Sequence, residues 1–224
     1  GGDQDPVARV FGYADPRPGA ASRIGTVAFA DATILAFPVP TMGGPRWVTT
    51  PSALSEAGAR EVPELTGMDH VLVQEGGRHD SKLNLGWLLV DTEPARLPLP
   101  GAAREQGPPQ WLGHIERNLV LVHEDLFPSL VNANLETRTS VTIDFETGAA
   151  AEGLLFTYEA TPRATLYRSR IHVDAQRPGA AGADEAQALV QRALEAACEA
   201  GLGGMTTRGF GRMATHWGGA HDPS

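Results

Sequence analysis

The sequence predicts a mixed α+β fold, in which a sheet-forming body carries a long β-hairpin. Between residues 138 and 159, apolar and polar side chains alternate on both sides of a break at Glu146, Thr147 and Gly148, as in two antiparallel strands. Between residues 184 and 200, apolar side chains recur at steps of three and four, as on one face of a helix. Near the end of the chain, the predicted order of strand, strand, helix and strand fits the second half of a ferredoxin-like βαββαβ fold.

Composition and charge limit the class of protein. The chain has 224 residues, of which 42% are hydrophobic, and it contains no apolar run near the ~20 residues needed to cross a membrane. We therefore expect a soluble globular protein without a secretory segment. Cys198 is the single cysteine, which favours the reducing cytoplasm and a buried, inert thiol on the apolar face of its helix.

The first half of the chain is expected to alternate short strands with one helix. Pro38 and Pro40 should end the second strand, and Ser52 should cap the helix. The predicted elements are strands over 24–30 and 33–37 with a turn at 31–32, a helix over 51–60, and strands over 70–74 and 85–90 joined by a polar loop at 76–80.

The second half is expected to begin with a surface insertion over 92–110, which is rich in proline and glycine. We expect one domain over 1–217, followed by a flexible tail over 218–224. The other predicted elements are a buried strand over 119–123, a helix over 124–131, the hairpin within 135–159, a strand over 165–173, a loop over 177–182, the helix over 184–200, and a final strand or loop and strand over 205–215.

Three ordered motifs carry a family resemblance. The hairpin reads R-x-x-V-x-I-D-x-x-T-G-x-x-x-E-G-x-L-F-x-x-E from Arg138 to Glu159, Phe11-Gly12 precedes a G-x-x-x-x-x-D-A-T-I-L pattern that starts at Gly25, and a glycine-rich loop follows at 203–211. In this order they resemble the RAMP superfamily of CRISPR systems and, within it, the backbone subunits of type III-B (Cmr) effector complexes. The resemblance covers nearly all of residues 11–213.

The resemblance implies a ferredoxin-like, RRM-like core with the hairpin as a projecting thumb. It implies a guide-RNA-binding subunit in antiviral defence, whose copies stack along the guide while each thumb displaces one nucleotide of the duplex between guide and target. The implied partners are guide RNA, target RNA, further copies of the chain and other CRISPR effector subunits; neither a membrane nor DNA is implied.

The resemblance also implies which residues contact RNA. The family's P-V-R-S motif reads Pro38-Val39-Pro40-Thr41 here, so proline replaces an arginine phosphate donor and Arg46 is expected to take its place. The implied RNA-binding residues are Thr41, Arg46, Arg138, Ser140, Gly203, Gly204, Thr206, Thr207, Arg208 and Gly209.

Intact members of the family are metal-dependent endoribonucleases, and their catalytic aspartate lies upstream of the Phe-Gly motif. Because Phe11 follows Gly1 after only ten positions, we expect this sequence to lack the family's first strand, its catalytic loop and its first helix. We therefore expect no catalytic residue and no metal ligand in this chain, leave enzymatic activity open, and do not assign Asp31 as the missing aspartate.

Each candidate site also has a simpler interpretation. The glycine-rich loop follows a helix, whereas a dinucleotide or P-loop motif opens one, so a structural turn is the alternative to an RNA contact. Two possible metal sets, at His70, Glu75 and His79 and at His123, Glu124 and Asp125, match neither a helical H-E-x-x-H motif nor a two-residue Cys/His step and are expected to be solvated loop residues. Asp144, Glu146, Glu152 and Glu159 are expected to be charges on the hairpin surface.

A net charge of −9 argues against broad nucleic-acid binding, and Lys82 is the only lysine. Two alternatives therefore stay open. One is another RAMP protein, such as a guide-processing nuclease or a capping subunit; the other is an acidic protein-interaction domain with no RNA role.

Overall fold

The computed structural model describes residues 5–15, 17, 22–78, 80–100, 109–143, 150–177 and 179–217, with the backbone alone for 141–143 and 150–155. These residues form two compact units, one from Gly1–Ala32 and Ser169–Ser224 and the other from Thr33–Arg168. Helices and strands are mixed along the chain, so the α+β class is confirmed. The ferredoxin-like arrangement and the single domain over 1–217 stay predictions.

The elements follow in chain order. The helices are α1 Pro6–Phe11, α2 Pro51–Glu56, α3 Gln110–Arg117, α4 Phe127–Ala133 and α5 Ala183–Ala200, with a 3₁₀ turn at Thr206–Arg208. The strands are β1 Gly12–Tyr13, β2 Arg23–Ile24, β3 Val27–Phe29, β4 Thr33–Val39, β5 Arg46–Thr49, β6 His70–Gln74, β7 Lys82–Leu85, β8 Leu88–Ala95, β9 Leu119–Leu121, β10 Glu136–Ile143, β11 Ala150–Ala160, β12 Leu166–Arg168 and β13 Ile171–Val173.

The unit formed by residues 33–168 is built on a mixed sheet. Among the described residues its strand order is β12-β4-β5-β9-β6-β8-β7, in which β5 runs parallel to β9 and β6 parallel to β8. Neighbouring residues of β5 point to opposite faces: Trp47 packs with Leu54 of α2 and Leu112 of α3, and Val48 packs with Leu130 of α4. Helices therefore cover both faces, and the sheet is the core of this unit.

The hairpin is present, and it forms a separate two-stranded sheet of β10 and β11. Their register pairs Arg138 with Tyr158 and Ser140 with Phe156. The predicted connection over 146–152 is too long, because β11 already begins at Ala150; residues 144–149 lie outside the described part of the chain.

Two prolines lie inside strands, contrary to the prediction for Pro38 and for the insertion at 92–110. Pro38 pairs with Trp47 of β5, and Pro94 pairs with Val73 of β6. On the other side of each strand, pairing stops before the proline: β12 pairs with β4 up to Ala36, and β7 pairs with β8 up to Asp91. A proline is tolerated there because its missing N–H is not needed by a neighbouring strand.

Three predicted strands are each divided. The run over 24–30 becomes β2 and β3, because Thr26 turns its N–H and its hydroxyl to the carbonyl oxygen of Arg9, at 3.1 and 2.9 Å. The run over 85–90 is interrupted at Gly86, whose φ of +63° makes a turn between β7 and β8. The run over 165–173 becomes β12, which pairs with β4, and β13, which pairs with β3.

Helix boundaries also differ from the prediction. Thr50, not Ser52, caps α2, since its hydroxyl accepts from the N–H of Ala53 at 3.2 Å, and α2 ends at Glu56 instead of residue 60. The predicted helix over 124–131 begins three residues later and ends two residues later, as α4. The α3 helix was not predicted.

The unit formed by residues 1–32 and 169–224 packs around α5. Ala186 and Val190 of α5 are buried with Val10 and Ala181, and Arg9 pairs with Glu185 at 2.6 Å. The helix ends where predicted, at Gly201. Cys198 is half-buried, with Sγ 3.7 Å from the Thr215 hydroxyl, so the expectation of full burial was wrong.

The described residues contain no helix that is long and apolar enough to span a membrane.

Candidate functional site

The turn between β4 and β5 carries the first of the predicted RNA-binding residues. The hydroxyl of Thr41 accepts from the N–H of Gly43 at 3.2 Å and donates to the carbonyl oxygen of Gly44, whose φ is +103°. Thr41 is half-buried and its hydroxyl bonds within its own turn. The turn is therefore held in one shape by a side chain, which leaves the exposed Gly43 at its surface.

Arg46 begins β5 and was expected to contact RNA, but only 4% of it is exposed. Its Nη2 donates to the carbonyl oxygen of Arg78 at 2.6 Å, while its Nη1 is buried without a hydrogen-bond partner. Burial, and then the charge of Arg78, lower the pKa of the Arg46 guanidinium, and the charge of Asp80 raises it. Arg46 is therefore a buried cation beside a second arginine that sequence reasoning missed.

The root of the hairpin presents the next predicted pair. Arg138 pairs with Glu136 at 2.7 Å, an interaction that raises the pKa of Arg138, and 58% of its side chain remains exposed. Ser140, two residues further along β10, is half-buried.

Two aromatic residues join Arg138 and Ser140 on the same side of the hairpin. Because cross-strand partners share a face, Tyr158 lies opposite Arg138 and Phe156 lies opposite Ser140. The rings of Phe156 and Tyr158 are 6.0 Å apart, and Phe156 is 46% exposed. We call Arg138, Ser140, Phe156 and Tyr158 the hairpin face; it combines a cation, a hydroxyl and two rings.

The turn between β7 and β8 lies next to the turn between β4 and β5. The N–H of Gly86 donates to the carbonyl oxygen of Pro40 at 3.3 Å, and a Cβ at Gly86 would lie 3.3 Å from the Asn134 side chain, which precedes β10. Trp87, in this turn, is 64% exposed. Sequence reasoning missed Trp87 because it placed residues 85–90 in one strand.

The predicted glycine-rich contact loop belongs to the unit formed by residues 1–32 and 169–224. It contains the 3₁₀ turn and no strand among its described residues, so the predicted final strand over 205–215 was wrong. The N–H of Leu202 donates to the carbonyl oxygen of Gly211 at 2.9 Å and closes the loop. Thr206 is half-buried; the exposed members are Gly203, Gly204, Thr207, Arg208 and Gly209.

Within the described part of the chain, no three His, Cys, Asp or Glu side chains lie close enough to hold a metal ion. His70 contacts Asp69 at 3.1 Å, and His123 lies 3.6 Å from Asp125. His79 lies outside the described residues. The described residues therefore offer no cluster of this kind for the divalent metal that the resemblance implies for intact members of the family.

Of the four hairpin carboxylates, only Glu159 has a described side chain, and it is exposed on β11. Glu124 accepts a hydrogen bond from the Ser52 N–H at 2.7 Å. It therefore acts between α2 and the segment before α4, a structural role.

Residues 2–214 match the model of the RAMP superfamily. A curated protein of Pyrococcus furiosus, the CRISPR system Cmr endoribonuclease Cmr4, is 29% identical over 187 residues, which are 76% of this chain and 62% of that protein. The chain thus spans less than two thirds of the length of this relative.

Solved structures agree on the fold. The crystal structure of oligomeric Cmr4 from Pyrococcus furiosus aligns with a TM-score of 0.59 at 24% identity, over 93% of this chain and 76% of that one. The type III-B Cmr-beta complex bound to cognate target RNA contains a chain that aligns with a TM-score of 0.59 at 17% identity, over 93% of this chain and 74% of that one. The predicted resemblance is confirmed: this chain belongs to the RAMP superfamily.

Proposed function

We propose that this chain is a guide-RNA-binding backbone subunit of a type III-B CRISPR effector complex. The observation that carries the proposal is the hairpin face, on which a cation, a hydroxyl and two aromatic rings lie side by side on a two-stranded sheet. The similarity to a protein named as a Cmr endoribonuclease supports the choice of complex.

The chemistry of the hairpin face suits an RNA chain. A guanidinium binds phosphate oxygens through two parallel hydrogen bonds, and aromatic rings stack on unpaired bases of any sequence. Arg138 supplies the first contact, and the exposed ring of Phe156 supplies the second. Neither contact reads a base, so sequence selection is left to pairing between the guide and its target.

In this proposal the hairpin is the thumb of a ferredoxin-like core, and it lies across the duplex of guide and target. Target RNA, further copies of the chain and other effector subunits are the remaining partners, in the cytoplasm. One solved relative is described as oligomeric and another as bound to cognate target RNA, and these properties support the partners proposed here.

The net charge of −9 is compatible with this role because binding depends on the local charge. Glu136 already neutralises Arg138 at 2.7 Å. Since the pair is exposed to solvent, its net contribution to stability is small, and a phosphate can replace the carboxylate at little cost.

The test is fluorescence anisotropy with a labelled single-stranded RNA of mixed sequence at two salt concentrations. We expect binding that weakens with salt, by a log–log slope of about −0.7 for each phosphate contact. An Arg138→Glu, Arg208→Glu variant should lose it. The matched control is Arg60→Glu, Arg192→Glu, which changes one exposed arginine in each unit and makes the same change in net charge.

Absence of RNA binding by the unmodified chain would contradict the proposal and favour the acidic protein-interaction domain. Equal loss in both double variants would show that net charge alone controls binding, and would contradict the assignment of the hairpin face.

A further inference from the structure

The hairpin joins its unit through two connections, which are built differently. Its first strand, β10, follows α4 closely, and Leu135 between them packs against the buried core that contains Leu130. Its second strand, β11, ends at Ala160, and residues 161–165 lead back to β12 at the edge of the large sheet. A hairpin held at one end only can pivot, so its direction depends on how this second connection is held.

One side chain of the large sheet contacts the second connection. Nε1 of Trp47, in β5, donates to the carbonyl oxygen of Ala164 at 2.8 Å. Trp47 is buried with Leu54 and Leu112, and its ring meets the His114 ring edge-on, with the two centroids 5.4 Å apart. The core therefore fixes the donor of this hydrogen bond, and the donor in turn fixes the connection.

The connection has a backbone conformation that needs such support. Ala164 has a φ of +68°, in the left-handed region that a side chain disfavours. The hydroxyl and the N–H of Thr165 both donate to the carbonyl oxygen of Pro162, at 2.7 and 3.2 Å, so the chain turns sharply here. A strained residue persists where its surroundings hold it, and the hydrogen bond from Trp47 is a constraint of this kind.

We propose that Trp47 is a positioning residue, whose hydrogen bond to Ala164 fixes the direction of the hairpin relative to the large sheet. This inference rests on the proposed function, because Arg138 and Phe156 can contact one RNA chain only while the hairpin face is turned towards it. A hairpin that is fixed before RNA arrives does not have to be ordered during binding. Trp47 is itself buried, so it acts on RNA through the hairpin alone.

Trp47→Phe tests this anchor without RNA. Phenylalanine keeps an aromatic ring in the core and removes the donor to Ala164. With Cys198 replaced by serine, nitroxide labels at the exposed positions Ser55→Cys on α2 and Thr157→Cys on β11 report the distance between the sheet and the hairpin. Double electron–electron resonance should show a distance distribution about twice as wide in Trp47→Phe as in the labelled parent, because a freed connection samples more conformations.

Thr49→Val is the matched control, because it removes a similar hydrogen bond from the same strand. The buried Thr49 hydroxyl donates to the carbonyl oxygen of Leu35, in β4, at 2.7 Å, and has no link to the hairpin connection. Its distance distribution should match that of the parent. Ala164→Pro is a second test variant, since proline cannot adopt a positive φ and the core stays unchanged. It should widen the distribution even if Trp47→Phe does not fold.

RNA anisotropy then separates the anchor from the proposed function. Trp47→Phe should weaken RNA affinity about fivefold, because the hairpin must then be ordered during binding. Its salt slope should equal that of the unmodified chain, since no phosphate contact is lost. Thr49→Val should bind as the unmodified chain does. A wider distribution in Trp47→Phe, with no RNA binding by the unmodified chain, would support the anchor and contradict the proposed function.

Three results would overturn the inference. A distribution that stays narrow in a folded Trp47→Phe or in Ala164→Pro would show that the hydrogen bond does not hold the hairpin. Equal widening in Thr49→Val would assign the effect to a general loss of stability. Full RNA affinity of Trp47→Phe despite a wider distribution would remove its positioning role, while the proposed function stands.

Discussion

Two arginines of the candidate site, Arg138 and Arg46, lie in different surroundings. Arg138 keeps 58% of its side chain in water and contacts Glu136, whereas Arg46 is almost fully buried and lacks an acceptor for Nη1. An exposed ion pair contributes little to stability, while a buried and half-satisfied guanidinium lowers it. Substitutions at the two positions should therefore have different consequences for folding and for RNA.

Removing the carboxylate that competes for Arg138 should strengthen RNA binding. In Glu136→Gln, Arg138 no longer gives up a charged partner when a phosphate arrives, so we expect affinity to rise a few-fold, with stability within about 0.5 kcal/mol of the unmodified chain. Anisotropy and chemical denaturation measure the two quantities.

Glu159→Gln is the control for Glu136→Gln, since Glu159 pairs with Thr137 and so lies on the other face of the hairpin. Equal gains in the two variants would mean that total charge is responsible, and the contact between Arg138 and RNA would lose its support.

Arg46→Met should keep or increase stability while it weakens RNA binding. Methionine fills most of the volume and removes a buried N–H without an acceptor, a gain of about 1 kcal/mol that at least offsets the loss of the Nη2 hydrogen bond to the Arg78 carbonyl oxygen. If Arg46 had only a structural role, Arg46→Met would instead lower stability and leave RNA binding unchanged. A fall of more than about 2 kcal/mol in the free energy of unfolding would assign Arg46 a structural role.

Among the elements, α2 is tied to the segment before α4 by one carboxylate. Burial disfavours the charged form of Glu124, but hydrogen bonds from the Ser52 N–H and from the Ser52 and Thr50 hydroxyls outweigh it and hold the pKa below its ordinary value. Thr50 also caps α2. The start of this short helix therefore depends on a charge as well as on a cap.

The stability of the folded chain should consequently depend on pH through the ionisation of Glu124. A lowered folded-state pKa means that the stabilisation is fully present above the unfolded value of about 4.3 and is lost as pH falls through the folded value. The Tm difference between the unmodified chain and Glu124→Gln should be constant at neutral pH and shrink below that value. Thermal melts over this range measure it, and a difference that is independent of pH would contradict the role of the ionised carboxylate.

Local patterns predicted the long elements well and the short ones poorly. The helix over 184–200 and the hairpin have enough repeats for their periods to be clear. Pro38 was assigned as a strand end and Pro94 to a surface insertion because a proline lacks an N–H, but the limits of the neighbouring strands decide whether that N–H is needed. Such limits are tertiary information that no local pattern contains.

Some residues of the candidate site could be predicted from the sequence, and others could be found only in the structure. Arg138 and Ser140 follow from motif order, while Phe156 and Tyr158 join them only through the register of β10 with β11. Arg46 was recognised as a replacement for a missing donor, but its burial and its hydrogen bond to the carbonyl oxygen of Arg78, 32 positions away in sequence, were not foreseen. Contacts over such separations arise from folding and are not visible in spacing.

At the scale of the whole molecule, the proposed function makes this chain one repeating unit of a filament on RNA. If the hairpin displaces one nucleotide per copy, as we propose, the RNA must show a regular pattern, because identical copies in contact repeat at a fixed distance. Loss of the hairpin contact should remove this pattern and need not abolish RNA binding, since the implied contacts at Thr41 and Arg46 lie elsewhere in the same unit.

The most direct measurement is 2′-hydroxyl acylation of a guide RNA paired to its target and saturated with this chain. The proposed function predicts peaks of reactivity at a constant nucleotide interval along the duplex. These peaks should disappear with Arg138→Glu and persist with Arg60→Glu. Uniform protection, or peaks whose spacing follows the RNA sequence and not the number of bound copies, would contradict it.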